Sequence, residues 1–262
     1  MNPEVEKDYQ EYLAAGRIWG LIPKERITKI KFPRLPKEKI DELLEYDDLV
    51  SAVSDILDKK GIRGIVSATH VPPVIPGKRI VGHAVTVRNL PIRKTTYKGY
   101  EDGDEIRFCT RDIYFRAEPG DILVSDSSGN MDCSNSGGIT LAIAQHLGLS
   151  GFVVNGAVRD IETIRSIDFP VWSKGKTGIS GKNHIEAIEL NGPVCLHDIL
   201  VEAGDLIIAD DSGIAVIPWD MIEEVLAKLE AIKSDENINL RLIKENAPMS
   251  EFKKYYRTYV KK

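Results

Sequence analysis

The stretch that most constrains the fold covers residues 121–168, DILVSDSSGNMDCSNSGGITLAIAQHLGLSGFVVNGAVRDIETIRSID. Its pattern predicts a strand (ILVSD), a glycine-rich loop, a helix (ITLAIAQHLG) that ends at Gly148, a second buried strand (GFVVNG) and a further helix (IETIRSID). Such a βαβα unit implies two neighbouring parallel strands joined by a crossover helix. Because open α/β sheets place their ligands at the carboxyl ends of strands, we expect a functional site in the two loops.

The first loop ends in two glycines, Gly137 and Gly138, directly before a helix. Glycines there let the backbone approach a ligand, and the free N–H groups of Ile139 and Thr140 offer an anion site. The loop lacks the GK[ST] of a P-loop, which disfavours nucleotide binding. An ordinary helix N-terminus capped by Ser136 explains the same letters equally well.

The second loop carries an adjacent Arg159 and Asp160. Asp160 can bind a hard divalent cation, with water or substrate oxygens as the other ligands, and Arg159 can bind a carboxylate or polarise a carbonyl. Together they could stabilise the enolate that develops when a 2-oxo acid is cleaved or decarboxylated. The alternative is structural, with Asp160 capping its helix and Arg159 in a surface ion pair.

The composition is that of an ordinary soluble globular protein. The chain has 262 residues, 42% of them hydrophobic and 29% charged, and its net charge of −5 argues against nucleic acid as a partner. No apolar stretch reaches the length of a membrane span, and the N-terminus is too acidic for a signal peptide. The cysteines show no CxxC spacing, which favours a cytoplasmic location without a zinc site: Cys109, Cys133 and Cys195.

The rest of the chain has no internal repeat and no clear linker, which predicts a single domain over residues 1–262. Three amphipathic helices precede the first strands, IRGIVSA and RIVGHAVTVRNL, and the segment 91–118 looks irregular, as a lid or a subunit contact would. Later β-runs end in a predicted hairpin, DLIIAD and GIAVIP, before a long helix that starts at WDMIEE.

Several other polar residues invite a functional interpretation. A glycine-rich basic loop could close over an anionic substrate, although a solvated loop is the simpler interpretation. His83 alternates with valines and is expected to face solvent or a subunit contact. Cys133 is expected to be a small buried side chain, and three acids near the hairpin are expected to be turn residues: Asp205, Asp210 and Asp211. The basic residues of the loop are Lys174, Lys176, Lys182 and His184.

The letters GGITLAIAQHLGLSGFVV resemble the phosphohistidine segment of phosphoenolpyruvate-utilising enzymes. In that segment a phosphorylated histidine follows the glycine pair by four residues, and here the position holds Ala142. Phosphotransfer is therefore excluded by residue type, while a shared swivelling β/β/α fold is not.

A second resemblance covers residues 45–220 and implies a domain core there, with helical extensions at 1–44 and 221–262. VVNGAVRD followed by DFPVW, with GDILVSD before them, IVGHAVTV earlier and GDLIIADDSGIAVIP near the end, resembles the RraA-like family. That family includes 4-hydroxy-4-methyl-2-oxoglutarate/4-carboxy-4-hydroxy-2-oxoadipate aldolases and the regulator of ribonuclease activity A. The resemblance implies a swivelling β/β/α three-layer sandwich of the phosphohistidine-domain type and a homotrimer or homohexamer.

The resemblance also implies a class II pyruvate aldolase that decarboxylates oxaloacetate with Mg²⁺ or Mn²⁺. Arg159 and Asp160 match the family's motif, but its upstream acid falls on Gly138 and its first glycine on Ser134. Asp126 or Asp132 is then the candidate to replace the missing acid. By the same comparison, the amides from Gly137 to Thr140 would hold the substrate carboxylate.

We therefore predict a metal-dependent carbon–carbon lyase that acts on a small 2-oxo or hydroxy diacid. Asp160 would hold the cation, and Arg159 would act as a catalytic and substrate-binding residue. Two alternatives stay open. One is a non-catalytic regulator that binds a ribonuclease or helicase, and the other is an enzyme of the same fold that acts on another hydroxy or sugar acid.

Overall fold

The computed structural model describes residues 2–104 and 110–255. In this part of the chain the α-helices are α1 (Pro3–Ala14), α2 (Lys37–Leu44), α3 (Leu49–Lys59), α4 (Thr96–Glu101), α5 (Thr110–Tyr114), α6 (Gly138–His146), α7 (Ile161–Ser166), α8 (Ile222–Lys244) and α9 (Met249–Tyr255). The strands are β1 (Ile65–Ser67), β2 (Ile80–Pro91), β3 (Ile122–Asp126), β4 (Gly151–Val158), β5 (Val171–Lys176), β6 (Ile185–Leu190), β7 (Val194–Leu196), β8 (Ile199–Val201), β9 (Leu206–Asp210) and β10 (Gly213–Ile217).

The main sheet contains the predicted βαβα unit. Its strand order is β1-β10-β9-β2-β3-β4-β5, and β6 pairs with β2. Strands β2 to β5 are parallel, and Asp126 of β3 lies opposite Asn155 of β4. The prediction of two parallel neighbours joined by a helix is confirmed. The predicted β9–β10 hairpin is also confirmed, since the two strands pair antiparallel from Gly213–Asp210 onwards.

The fold is layered because β2 is long enough to belong to two halves of the sheet. Side chains from β3, β4 and β5 share one core with side chains from β1, β9 and β10 and from the small β7–β8 sheet. The outer face of the parallel half packs on α5, α6 and α7, and the outer face of the other half packs on α3 and α8. The structure thus has the β/β/α arrangement that the resemblance implied, with an added helical layer.

The N-terminal extension is built into the main core. Val5, Tyr12 and Ile22 are among the residues buried beside the parallel half of the sheet. Arg17 donates to the carbonyl of Ala117 and to Glu118, and Arg34 forms a two-bond ion pair with the buried Asp121. The extension therefore stabilises the segment that leads into β3. The single-domain boundaries stay a prediction.

Helices α3 and α8 cover the hairpin half of the sheet. Leu49, Val53 and Leu57 of α3 are fully buried, as the apolar spacing of the sequence predicts, and Val225 and Leu229 of α8 pack in the same core. Full burial of a leucine or valine side chain stabilises a fold by about 1.5 to 3 kcal/mol. Within the described residues, no helix combines the length and apolarity that a membrane span needs.

Two expectations about the chain need correction. The segment 91–118 is not irregular throughout, because it contains α4 and α5, and Ile113 of α5 is fully buried against the main core. Asp112 and Arg116 form a buried ion pair at 2.7 Å in the same segment. The sequence did not reveal this structural role, because a buried ion pair and two exposed charges have the same sequence pattern.

The alternation of His83 with valines suggested that it faces solvent or a subunit contact. In the structure its side chain is buried, with 3% exposure. Its Nε2 accepts a hydrogen bond from the amide of Leu35 at 2.8 Å, so the ring is neutral there and Nδ1 donates to the carbonyl of Gly204 at 2.8 Å. Burial lowers the pKa of His83, and the bond to Gly204 opposes that shift. The side chain thus connects the N-terminal extension with the turn before β9.

We expect this histidine to make the protein less stable in mild acid. The unfolded chain takes up a proton at His83 near its ordinary pKa of about 6.5, and the folded chain resists it. His83 therefore contributes stability that is present above about pH 6.5 and is lost as the pH falls towards the lowered pKa. Urea unfolding across this range should show that the free energy of unfolding falls less on acidification in His83→Gln than in the wild type. Equal losses in the two proteins would contradict the assignment.

Candidate active site

The two loops predicted to share a crevice do meet. Asp160 Oδ2 accepts a hydrogen bond from the amide of Gly138 at 3.0 Å, and the amide of Arg159 donates to the carbonyl of Ser136 at 3.1 Å. The loop before α6 and the loop after β4 are therefore joined by side-chain and backbone bonds. The site forms at the carboxyl ends of β3 and β4, as the parallel order of the strands predicts.

Asp160 has a different role from the cap that the structural alternative assigned to it. It is the residue before α7, but its side chain makes no capping bond to that helix, and its backbone is left-handed at φ 58°. The carboxylate instead binds the N-terminus of the neighbouring helix, α6. A left-handed backbone is uncommon for a non-glycine residue, although aspartate adopts it more readily than most.

Ser136 does not cap α6 either. The N-cap residue is Gly137, which has no side chain to cap the helix. The buried Ser136 hydroxyl has no hydrogen-bond partner in the described structure. The first turn of α6 thus keeps donors for a ligand. The amide of Gly138 is already bound to Asp160, so the predicted anion site is reduced to the amides of Ile139 and Thr140, with the amide of Gly137 beside them.

Arg159 and Asp160 lie close together and partly exposed. Arg159 Nε is 3.5 Å from Asp160 Oδ2, and the two side chains are 36% and 41% exposed. Both side chains pack closely against Gly137, because a Cβ added there would lie 2.4 Å from Asp160 Oδ2 and 3.0 Å from Arg159 Nε. Glycine is therefore needed at this position to let the Arg–Asp pair reach the helix.

Gly138 is required for a different reason. An added Cβ would lie 2.4 Å from Thr163 Cγ2 and 2.5 Å from Thr163 Cβ. The place where the family's motif has an acidic side chain is thus filled by the first turn of α7. The departure of this sequence from the motif is accommodated by close packing of α6 against α7.

Neither acid suggested as a replacement is bound to the Arg–Asp pair in the described structure. Asp126 is buried: its Oδ1 accepts from the amide of Ser128 and from Asn155 Nδ2, and its Oδ2 accepts from the amide of Cys195. These three bonds give it a structural role. Asp132 is exposed, and its backbone amide donates to Asn130.

Asn135 supports the site and was missed in the sequence. Its Oδ1 accepts from Ser125, Ser127 and Asn89, and its amide donates to the carbonyl of Ala157 at 2.8 Å. This buried residue fixes the loop two positions before Gly137. The only sequence signal was an amide side chain among turn residues, which is common in solvated loops as well.

The remaining candidates lie around or away from this site. The basic loop runs beside it, because the amide of Ser134 donates to the carbonyl of Ile179 at 2.9 Å. Cys133 is buried, as predicted, and burial raises the pKa of its thiol. Cys109 lies outside the described residues.

The three acids near the hairpin bind backbone amides, as turn residues do. Asp210 accepts from the amide of Ser212, and Asp211 accepts from that of Gly77. Asp205 accepts from two amides, and burial outweighs those bonds and raises its pKa to about 6. These acids are structural.

Asp160 is the residue of this crevice that could hold a divalent cation. The bonds of Asp160 in the described structure go to Oδ2, which leaves Oδ1 available, and the side chain is partly exposed. Among the described residues, no group of three histidine, cysteine, aspartate or glutamate side chains could hold a metal ion. The residues thus fit a cation bound to one protein carboxylate, with the other ligands from water or substrate.

Comparisons with known proteins agree with this architecture. The family model described as RraA-like, Aldolase/RraA, matches residues 50–216. A solved structure of an uncharacterised protein from Pseudomonas syringae is 27% identical, with a TM-score of 0.68, and covers 84% of this chain and 98% of its own. The Streptomyces coelicolor protein RraAS2, an unusual member of the RNase ES inhibitor RraA family, has a TM-score of 0.66 at 23% identity, over 80% of this chain and 98% of its own.

Two relatives are similar in sequence. A Halalkalibacterium halodurans protein, provisionally named 4-hydroxy-4-methyl-2-oxoglutarate aldolase, is 29% identical over 81% of this chain and 93% of its own length. Protein DlpA of Legionella pneumophila is 32% identical over 78% of this chain, which spans only 33% of DlpA. The fold and the family match define a swivelling β/β/α protein of the Aldolase/RraA class. The chain belongs to the RraA-like family.

Proposed function

We propose that the protein is a divalent-cation-dependent carbon–carbon lyase that cleaves or decarboxylates a small 2-oxo diacid, as a class II pyruvate aldolase or oxaloacetate decarboxylase does. The observation that carries the proposal is the 3.0 Å bond between Asp160 and the amide of Gly138, because it brings a carboxylate, a guanidinium and free helix amides into one crevice. The name of the H. halodurans relative supports the same chemistry.

The protein groups have distinct parts in this proposal. The amides of Ile139 and Thr140 bind the substrate carboxylate at the positive end of α6. The Arg159 guanidinium binds the 2-oxo oxygen and stabilises the negative charge that develops on it as the carbon–carbon bond breaks. The bond's electron pair remains on the pyruvate enolate, which takes up a proton to give pyruvate. The other fragment leaves as CO₂ in decarboxylation, and in aldol cleavage its hydroxyl loses a proton to solvent and becomes the carbonyl of the second product.

Asp160 is the proposed ligand of the cation, Mg²⁺ or Mn²⁺. When bound, the cation supplies Lewis-acid polarisation of the 2-oxo group. The left-handed backbone at Asp160 and its bond to Gly138 fix the carboxylate beside Arg159, where it would hold the cation. We also propose a cytoplasmic homotrimer or homohexamer, on the basis of the family resemblance and the cysteine pattern.

Pyruvate release tests this function directly. Purified protein should release pyruvate from oxaloacetate and from 4-hydroxy-4-methyl-2-oxoglutarate when Mg²⁺ or Mn²⁺ is added, measured with a coupled lactate dehydrogenase assay. Chelation of the cation should abolish the enzymatic rate, after subtraction of metal-catalysed decarboxylation without protein. Protein that is folded and inert with both cations on both acids would refute the lyase and favour a regulator or an enzyme for another hydroxy acid.

A further inference from the structure

A cavity of about 300 Å³ lies at the opposite end of β3 from the Arg–Asp crevice. Asp205 lines it, and the carbonyl of this residue accepts from the amide of Ala84, which is paired with Ile122 at the start of β3. The other sides are formed by residues 29–33 of the N-terminal extension and by residues 218–220 after β10. A cavity of this size accommodates a small organic molecule, and the proposed lyase does not use it.

The lining of this cavity is negatively charged. It contains three acids, Glu202, Asp205 and Asp220, and one lysine, Lys29. Lys29 Nζ donates to the carbonyl of Ala203 at 3.3 Å, and none of the three carboxylates forms an ion pair with a residue that the structure describes. Glu202 and Asp220 are exposed, so their oxygens are open to a ligand. The lining therefore attracts a cation and repels an anion.

Asp205 is a buried carboxylate whose charge is only partly compensated. Its side chain is 6% exposed, Oδ2 accepts from the amide of Glu202 at 2.8 Å, and Oδ1 accepts from the amide of Trp219 at 3.1 Å. Burial raises the pKa of Asp205 to about 6, and the two amide bonds and the charge of Lys29 oppose that shift only in part. Above that pH the carboxylate is charged, and a cation in the cavity would stabilise it.

An exposed indole ring makes an organic cation a better fit than a metal ion. Trp219 is 40% exposed, and its ring packs on His83 with the ring centroids 5.6 Å apart. A tryptophan ring attracts a cation more strongly than the other aromatic side chains do. Within the described residues, no group of three acidic, histidine or cysteine side chains could hold a metal ion. The exposed indole and the unpaired carboxylates together fit a cation with an organic part.

We propose that this cavity binds a small organic cation with primary ammonium groups, an alkyl diamine. The ammonium hydrogens are donated to the carboxylates of Glu202 and Asp220, and the alkyl chain with one ammonium group lies over the exposed part of the Trp219 indole. Asp205 keeps its two amide bonds and adds its negative charge to the site. The site is separate from the lyase crevice and does not depend on the proposed reaction.

Saturation-transfer NMR tests this inference with putrescine and cadaverine as diamines, and with butanediol and succinate as neutral and anionic probes of similar length. The measurement is made at about pH 7.5 and about 0.15 M salt, which screens attraction to isolated surface charges. We expect transfer to at least one diamine, and none to the diol or the diacid.

Two double variants separate this site from general attraction to an acidic protein. Glu202→Gln with Asp220→Asn keeps the shape of the cavity and should weaken diamine affinity about tenfold. Glu4→Gln with Asp58→Asn removes two exposed acids elsewhere, on α1 and α3, and makes the same change in net charge. The second pair should leave the affinity unchanged.

Trp219→Leu tests the indole contact and should weaken diamine affinity about threefold in protein that circular dichroism shows to be folded. The proposal is overturned if neither diamine binds at concentrations that saturate a millimolar site, or if the diol or the diacid binds as tightly as the diamines. It is also overturned if the two double variants lose affinity equally, or if folded Trp219→Leu binds like the wild type.

Discussion

Asp160→Asn should lower kcat/KM for pyruvate release by about a thousandfold. Asparagine has nearly the same shape, tolerates a left-handed backbone, and keeps an oxygen that can accept from the amide of Gly138. The fold and the position of the loop should therefore survive. What is lost is the negative charge that is proposed to hold the cation beside Arg159, so the loss should appear in kcat/KM and in Mn²⁺ affinity together.

A matched control is available one helix further along the chain. Asp168 also has a left-handed backbone, at φ 56°, and forms an exposed ion pair with Lys78. Asp168→Asn makes the same chemical change in the same backbone conformation but away from the crevice, and should leave kcat/KM and Mn²⁺ binding within about twofold of the wild type. An Asp160→Asn protein that retains wild-type activity would refute the assignment of the catalytic pair.

Gly138→Asp, which restores the family's acidic residue, should destabilise the protein by about 2 kcal/mol and lower Tm by about 4 to 8 °C. The new Cβ would lie 2.4 Å from Thr163 Cγ2, far inside van der Waals contact, and the new carboxylate would add a like charge to the region of Asp160. We therefore expect the substitution to impair pyruvate release instead of improving it. Differential scanning calorimetry and the coupled assay measure the two effects.

The companion variants decide whether the packing against Thr163 is the cause. The double variant Gly138→Asp/Thr163→Gly removes the clash. Its loss of unfolding free energy should therefore be about 2 kcal/mol smaller than the sum of the losses in the two single variants. Gly178→Asp places the same side chain where no atom lies within 4 Å of an added Cβ, and it should leave Tm unchanged. If Gly138→Asp is as stable as Gly178→Asp, then α6 and α7 are not packed as described.

Sequence patterns were sufficient for the elements whose signals are local. The β-branched run ILVSD, the helical spacing after Gly138 and the DDSG turn each depend on neighbouring letters, and β3, α6 and the β9–β10 hairpin formed where they predict. The meeting of the two loops also followed from local information, because parallel neighbours joined by a helix must end at the same edge of the sheet. Arg159 and Asp160 could thus be proposed as a site before any coordinates were known.

The role of each polar side chain depended on contacts distant in sequence. His83 looked exposed because alternation within a strand does not reveal that a second layer covers its outer face, and here Leu35 and Gly204 enclose the ring. Asp126 looked available for catalysis, yet Asn155 and Cys195 occupy its oxygens.

The sequence by itself determined the βαβα unit, the parallel order of its strands and the edge where a site could form, because these depend on short-range periodicity and turn chemistry. Only the tertiary structure decided that Asp160 binds the neighbouring helix instead of capping its own, and that Thr163 fills the space of the family's missing acid. Both facts arise from the packing of α6 against α7. That packing is set by how closely two glycines let the backbones approach, and no single loop encodes the distance.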